Sequence, residues 1–493
     1  MKKYSTLQYI LLILSIALCF IPHFLNLPTE LNPDGPAILT QSGAIILFSL
    51  VAAVIMWLFI GTDWTSLIVM VSIATVNELG MSGVTQASIG NATSWYLLLC
   101  FMLAVSLMKT GIAKRIAVWL MTCKLSRRGP WYMIGMLFVA IALISSVLSS
   151  TSTVMIFLPI LYEIFEALGY KKTDQNKFTT LMMMSLVVVC QIVQSTSPIS
   201  HVHTILGIST YASYTGNEIE FLQYVGIALP VALLCIVVWF LLCIFLFKLD
   251  VSKVKDIDYD KIQNSLGPIK KEEKIAGFIY ILVVIFWLLP GVIRYLAPSL
   301  YPIISKIQQC YPPMIALVIL HLWKVDGKSV LDFKDALKAA PMGTYLFISA
   351  MLLLNSCFSN ASIGLPAWLA TVMGKIFNNV PAMVFFILIF SITVILTQFI
   401  SNAVTISLAM TIGMPLCLTL FDGLINPMVL SILLTMGINY AFATACATPP
   451  CAVAQDSGWL SSSKMLSYGF IAMVICIIIG LVVGIPLANI ICR

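Results

Sequence analysis

The stretch Ser145-Ser146-Val147-Leu148-Ser149-Ser150-Thr151-Ser152-Thr153 lies inside a long apolar run and carries no charge. Every residue in it except Val147 and Leu148 bears a hydroxyl. A second stretch of similar chemistry, Thr397-Gln398-Phe399-Ile400-Ser401-Asn402-Ala403-Val404-Thr405, sits 252 residues further on. Ser149 is followed 47 residues later by Thr196-Ser197-Pro198, and Ser401 is followed at the same 47-residue distance by Thr448-Pro449-Pro450. Two pairs of polar breaks at one spacing make the chain a duplicated unit folded around a shared site.

The composition gives the surroundings of that site. The chain has 493 residues, 60% hydrophobic and 10% charged, with a mean hydropathy of +1.02. A soluble chain of this length needs more surface charge, whereas lipid covers most of a polytopic membrane protein. The net charge of +7 does not indicate nucleic acid, because the basic residues sit in loops between apolar spans, where they set orientation. The 13 cysteines form no CxxC pair, so neither a zinc site nor a disulfide framework is indicated. Asn91-Ala92-Thr93 is a weak glycosylation sequon.

Apolar runs near about 20 residues read as spanning helices. They fall near 7–24, 43–60, 64–80, 93–109, 177–206, 221–247, 275–296, 310–323, 342–359, 424–455 and 466–490. Segments 130–168 and 380–421 carry the hydroxyl-rich stretches at mid-length and read as re-entrant hairpins. Charge supports that reading. With the N-terminus inside, all but four of the 27 basic residues fall on the cytoplasmic side; Arg294, Lys306, Lys375 and Arg493 are the exceptions. Making either hairpin a full crossing would flip every later loop and largely collapse the asymmetry.

The expected fold is an all-α polytopic membrane protein with about 11 transmembrane helices plus two re-entrant hairpins in an inverted repeat. Its N-terminus is in and its C-terminus out. Residues 1–42 form a first helix and outer loop, and 43–247 the first repeat with a cytoplasmic-side hairpin. Residues 248–274 form a solvated cytoplasmic linker, and 275–493 the second repeat with an outside hairpin. Segments 111–126 and 361–377 are amphipathic lead-ins to the hairpins.

Helix breaks in a bilayer survive only where protein or a water-filled cavity satisfies the freed backbone groups. Their N-termini favour an anion, while their C-termini and freed carbonyls, with Ser, Thr and Asn oxygens, suit a small hard cation. No Asp, Glu, Lys or Arg occurs in 130–162, 178–216, 380–421 or 423–455. A proton relay needs an intramembrane ionisable group, and His201 and His203 are the only candidates there. No nucleophile–base–acid set appears in the spans, so no enzyme is expected.

These residues resemble the divalent anion/sodium symporter family, whose members carry di- and tricarboxylates or sulfate. The family has a Ser-Asn-Thr motif at each hairpin tip and a Thr-Pro-Pro break downstream. Here Ser149-Ser150-Thr151, Ser401-Asn402-Ala403, Thr196-Ser197-Pro198 and Ala447-Thr448-Pro449-Pro450-Cys451 stand at those places. The resemblance implies a first sodium site from Ser145, Ser149, Ser150 and the backbone near Ser195. It implies a second from Thr397, the Ile400 backbone, Asn402 and the backbone near Ala447. The anion would meet Ser150, Thr151, Asn402, Thr196, Thr448 and the helix ends beside Pro198 and Pro449. It further implies a homodimer in the lipid bilayer with an elevator mechanism, no nucleic-acid partner, and a cell-membrane location. The chain departs from the pattern at Ser150 (Asn in the family), Ala403 (Thr) and Cys451 (often Asn). Besides sodium-coupled uptake of a small divalent anion, a sodium-independent exchanger, a sulfate or other oxyanion carrier, or a proton-linked carrier of the same fold stays open.

Overall fold

The computed structural model describes residues 5–29, 38–172, 176–196, 202–257, 259, 267–304, 309–377, 379–445 and 447–492. The expected roles of Pro198 and His201 lie outside the described residues.

Both hydroxyl-rich stretches form tight turns between two helices. The first joins α7 (Pro130–Ser145) to α8 (Ser150–Ala167). The second joins α18 (Ala382–Leu396) to α19 (Asn402–Thr419). Pro130 starts α7 because its ring fixes φ and its missing N–H would have been unpaired in the first turn. Ser149 starts α8: its Oγ accepts from the Ser152 N–H at 3.3 Å.

The remaining elements, in order, are α1 (Thr6–Phe20), α2 (Gln41–Phe59), α3 (Thr65–Ile73), α4 (Gly80–Ala87), α5 (Ala92–Thr110) and α6 (Ile112–Thr122) before the first turn. Between the turns come α9 (Lys177–Gln194), α10 (Val202–Thr215), α11 (Phe221–Phe245), α12 (Lys271–Leu296), α13 (Tyr301–Ile304), α14 (Tyr311–Leu322), α15 (Phe333–Ala339), α16 (Met342–Ser359) and α17 (Leu365–Phe377). After the second turn follow α20 (Pro427–Gly437), α21 (Pro449–Asp456), α22 (Ser462–Ile479) and α23 (Ile485–Ile491), the last two joined by a π-helical turn. The short antiparallel pair β1 (Lys324–Val325) and β2 (Lys328–Ser329) closes through Asp326 and Gly327. Both residues have positive φ, as an Asp-Gly hairpin turn requires.

Among the described residues, ten helical stretches are long and apolar enough to cross a membrane, and α8 and α19 are two of them. Three expected spans are not single helices. Span 64–80 divides into α3 and α4, because Thr75-Val76-Asn77-Glu78 turns the chain; Glu78 accepts from Ser42 Oγ at 2.6 Å. Span 177–206 divides into α9 and α10, and span 424–455 into α20 and α21. The linker is also less free than its composition suggests. Arg115 Nη2 donates to Gly267 O at 2.9 Å, Tyr259 OH to Ser126 O at 3.3 Å, and Val254 and Ile257 are buried.

The core forms where the two turns meet the interrupted helices. Helices α7 and α8 pack on α9, and α8 and α9 also touch α21. Helices α18 and α19 pack on α20, and α19 and α20 also touch α10. Each turn thus packs on a helix of its own half and reaches one of the other. Every side chain of α9 from Phe178 to Gln194 is buried, as expected of a helix apolar all round. Helix α11 instead exposes Leu229, Leu233, Val237 and Leu241, the mark of a surface facing hydrocarbon rather than water.

Candidate functional site

Helix α7 ends at the first turn with carbonyls that no following helical N–H reaches. Gln194, fully buried at the end of α9, satisfies them. Its Nε2 donates to Ser145 O at 2.7 Å, Ser145 Oγ at 2.9 Å and Leu148 O at 3.0 Å. Ser145 Oγ in turn donates to Cys190 O at 2.9 Å. Ser195 O accepts from Tyr224 OH at 2.8 Å, while Ser195 Oγ donates back to Ile192 O at 2.6 Å. Thr196 Oγ1 donates to Val193 O at 2.8 Å. Ser149 Oγ lies 2.9 Å from Ser152 Oγ. Of the first-half residues expected to ligate a cation, Ser145 is tied to Gln194 and Cys190, Ser195 to Tyr224, and Ser149 to Ser152; among the described residues no hydrogen bond joins Ser149 or Ser150 to Ser195.

The second turn differs. Thr397 Oγ1 lies 2.8 Å from Asn402 Oδ1 and 2.9 Å from Ile438 O, so one hydroxyl ties the turn to the start of α19 and to the end of α20. Among the described residues, the carbonyls of Thr397, Ile400 and Ala447 accept no hydrogen bond. Gln398 stitches the turn to the unwound segment after α20. Its Nε2 donates to Val394 O at 2.8 Å and to Tyr440 O, and its Oε1 accepts from Phe442 N at 3.0 Å and Ala443 N at 2.9 Å. Thr444 Oγ1 donates to Gln398 O.

Thr448 stands at the N-cap of α21 with Pro449 at its first position. Gln191 of α9 donates from Nε2 to Thr448 Oγ1 at 2.9 Å and to Ala441 O at 3.0 Å, fixing that helix start from the other half of the chain. Cys451 Sγ is buried 3.1 Å from Thr448 Oγ1. No hydrogen bond among the described residues joins Ser150 or Thr151 to Asn402; α9 packs on the first hairpin and on α21, while α10 packs on α19 and α20. Sequence reasoning missed Gln191, Gln194, Gln398 and Asn439. Gln398 stands within the second hydroxyl-rich stretch with no role assigned to it, and Gln191, Gln194 and Asn439 each stand in a long apolar run beside a few hydroxyls. Three of their carbonyl oxygens, Gln191 Oε1, Gln194 Oε1 and Asn439 Oδ1, are buried with no partner among the described residues.

Chemically the site consists of neutral oxygens, amides and helix ends. The N-termini of α8, α19 and α21 carry positive partial charge suited to an anion. The freed carbonyls at the second turn suit a hard monovalent cation, as at the broken helices of secondary transporters. Among the described residues no group of three His, Cys, Asp or Glu is placed to hold a metal.

The chain belongs to the sodium:sulfate symporter family, whose transmembrane-region profile matches residues 7–492, and is a multi-pass membrane protein. It is similar to the sodium-dependent dicarboxylate transporter SdcS of Staphylococcus saprophyticus. Identity is 25% over 503 aligned positions, covering 97% of this chain and 91% of the relative. SdcS of Staphylococcus aureus is 24% identical over 418 positions, covering 80% of this chain and 76% of the relative. Among solved structures, the fold resembles the YdaH transporter of Alcanivorax borkumensis, with a TM-score of 0.57 at 12% identity, covering 98% of this chain and 97% of that one. It also resembles MtrF of Neisseria gonorrhoeae, with a TM-score of 0.53 at 12% identity, covering 97% and 94%.

Proposed function

We propose that this protein is a secondary transporter of small divalent anions, dicarboxylates first, driven by sodium. The observation that carries the reading is the second turn. Among the described residues the carbonyls of Thr397, Ile400 and Ala447 accept no hydrogen bond, and Thr397 Oγ1 lies 2.8 Å from Asn402 Oδ1, so the turn offers a cation oxygens alone. Sodium there orders the start of α19 and cancels part of the anion's charge. The anion then sits against Ser150, Thr151, Asn402, Thr196, Thr448 and the helix end at Pro449. The near full-length similarity to proteins named as sodium-dependent dicarboxylate transporters supports this choice over other anions.

In this reading residues 43–247 and 275–493 are inverted repeats joined by the 248–274 linker, with the N-terminus inside and the C-terminus outside. The turns are the tips of re-entrant hairpins. A transport body of the two hairpins (α7–α8 and α18–α19) and the two broken helices (α9–α10 and α20–α21) slides past a scaffold of the other helices, in a homodimer. The packing of each hairpin on an interrupted helix from either half supports a single moving body. Uptake of labelled succinate into proteoliposomes, with and without an inward sodium gradient, tests the function; citrate and sulfate serve as competitors.

A further inference from the structure

Residues 252 positions apart in the two turns have opposite fates. Ser145 O and Leu148 O correspond to Thr397 O and Ile400 O. In the first half, a single nitrogen, Gln194 Nε2, sits among Ser145 O, Ser145 Oγ and Leu148 O at 2.7–3.0 Å. In the second half, the corresponding carbonyls receive no donor among the described residues. By the 252-residue offset in sequence, Gln194 matches Cys446, a residue type without a side-chain carboxamide and one outside the described residues. The backbone near each turn differs in the same sense: Tyr224 OH donates to Ser195 O, while Ala447 O accepts nothing among the described residues.

Three oxygens converging on one point from the C-terminal end of a helix make a cation site by charge and by geometry. An amide NH₂ placed there presents positive hydrogens to the same oxygens, so it answers the same field without an ion. The orientation of the amide follows from its neighbours, since turning it would set Oε1 against three oxygens, one of which, Ser145 Oγ, already spends its proton on Cys190 O. Among the described residues Gln194 Oε1 is buried with no partner, a cost that an ordinary helix cap does not carry.

We propose that the Gln194 carboxamide is a built-in substitute for the coupling cation of the first turn, and that sodium binds at the second turn alone. This rests on the sodium-coupled reading above and deepens it. The first turn is then permanently organised, and the chain couples fewer sodium ions to each anion than a symmetric pair of sites would. Ser150, where the family pattern has an amide-bearing Asn, follows from the same arrangement, because a first turn without an ion has no use for a further ligand.

The test is thermal unfolding of the purified full-length protein, titrated with sodium chloride against choline chloride at constant ionic strength. Gln194→Ala is expected to melt lower than wild type in choline and to regain the loss as sodium is added, with a steeper sodium dependence than wild type. A cap with no ionic role predicts the same deficit in both salts, and that result would overturn the proposal. Thr397→Ala in the otherwise native chain decides the matter independently of whether Gln194→Ala folds. It is expected to move the whole sodium response about tenfold higher in concentration, and a saturable component left at the wild-type concentration would show a working first site and overturn the proposal. Sodium-independent succinate uptake by the wild type would instead remove the coupling reading, and is read in a separate assay.

Discussion

Gln398 is the residue on which the second turn depends most. Its amide serves two carbonyls and two N–H groups of the unwound segment. Replacing it with Leu leaves these buried groups unpaired. At about 1–3 kcal/mol for each orphaned group, less what relaxation recovers, the loss is about 3–5 kcal/mol. A lower unfolding midpoint in detergent, relative to wild type, checks this; an unchanged midpoint refutes it. Thr397→Ala removes the hydroxyl that holds Asn402. It is expected to raise the half-saturating sodium concentration for transport by about tenfold, or ~1.4 kcal/mol. Much of this scale was legible beforehand. Hydroxyls grouped in an apolar run announce a break, and Thr397 and Asn402 lie together in the structure. The glutamines were not legible, because one amide in an apolar helix gives no periodic signal. Its role depends on which carbonyls another segment leaves bare.

At the scale of elements, the crossing of α10 and α20 is set by Gly207. A Cβ there would lie 1.9 Å from Thr435 Oγ1. Gly207→Ala is expected to force the two helices apart at a cost of about 1–3 kcal/mol, read as a lower unfolding midpoint. Thr435→Ala in the same chain is expected to recover part of the loss, and no recovery would place the strain elsewhere. Outside the membrane, Lys109 Nζ lies 2.8 Å from Asp335 Oδ2 and holds that carboxyl below its usual range. The pair's stabilisation is therefore full above the ordinary aspartate pKa and is lost only as pH falls through the lowered value. The difference in unfolding midpoint between wild type and Asp335→Asn should stay constant across neutral pH and shrink in acid; a change near neutrality contradicts the assignment. The interruption of the helices was readable from Thr196-Ser197-Pro198 and Thr448-Pro449-Pro450, but its length was not. Helix α20 already ends at Gly437, well before Thr448, whereas α9 runs to Gln194. The longer unwound stretch is held by Gln398 and Gln191, partners remote in sequence.

For the whole molecule, the charge distribution and the 252-residue offset point to two halves around a common centre; in the structure α8 packs on α9 and α21, and α19 on α20 and α10. Loop 64–80 escaped this reading because its turn, Asn77-Glu78, is brief and flanked by apolar residues that mimic a continuous span. The proposed orientation makes a direct prediction. A single cysteine placed in the 248–274 linker of a cysteine-free variant should react with an impermeant maleimide only in inside-out vesicles, and labelling from the outside would reverse the topology. The central claim is that oxygens freed at the second turn couple sodium to a dicarboxylate. The measurement that tests it most directly is labelled succinate uptake into proteoliposomes under an inward sodium gradient, with Thr397→Ala beside the wild type. The account predicts uptake that vanishes when choline replaces sodium and that falls sharply in the variant at low sodium. Uptake indifferent to sodium, or equal in the two proteins, would contradict it.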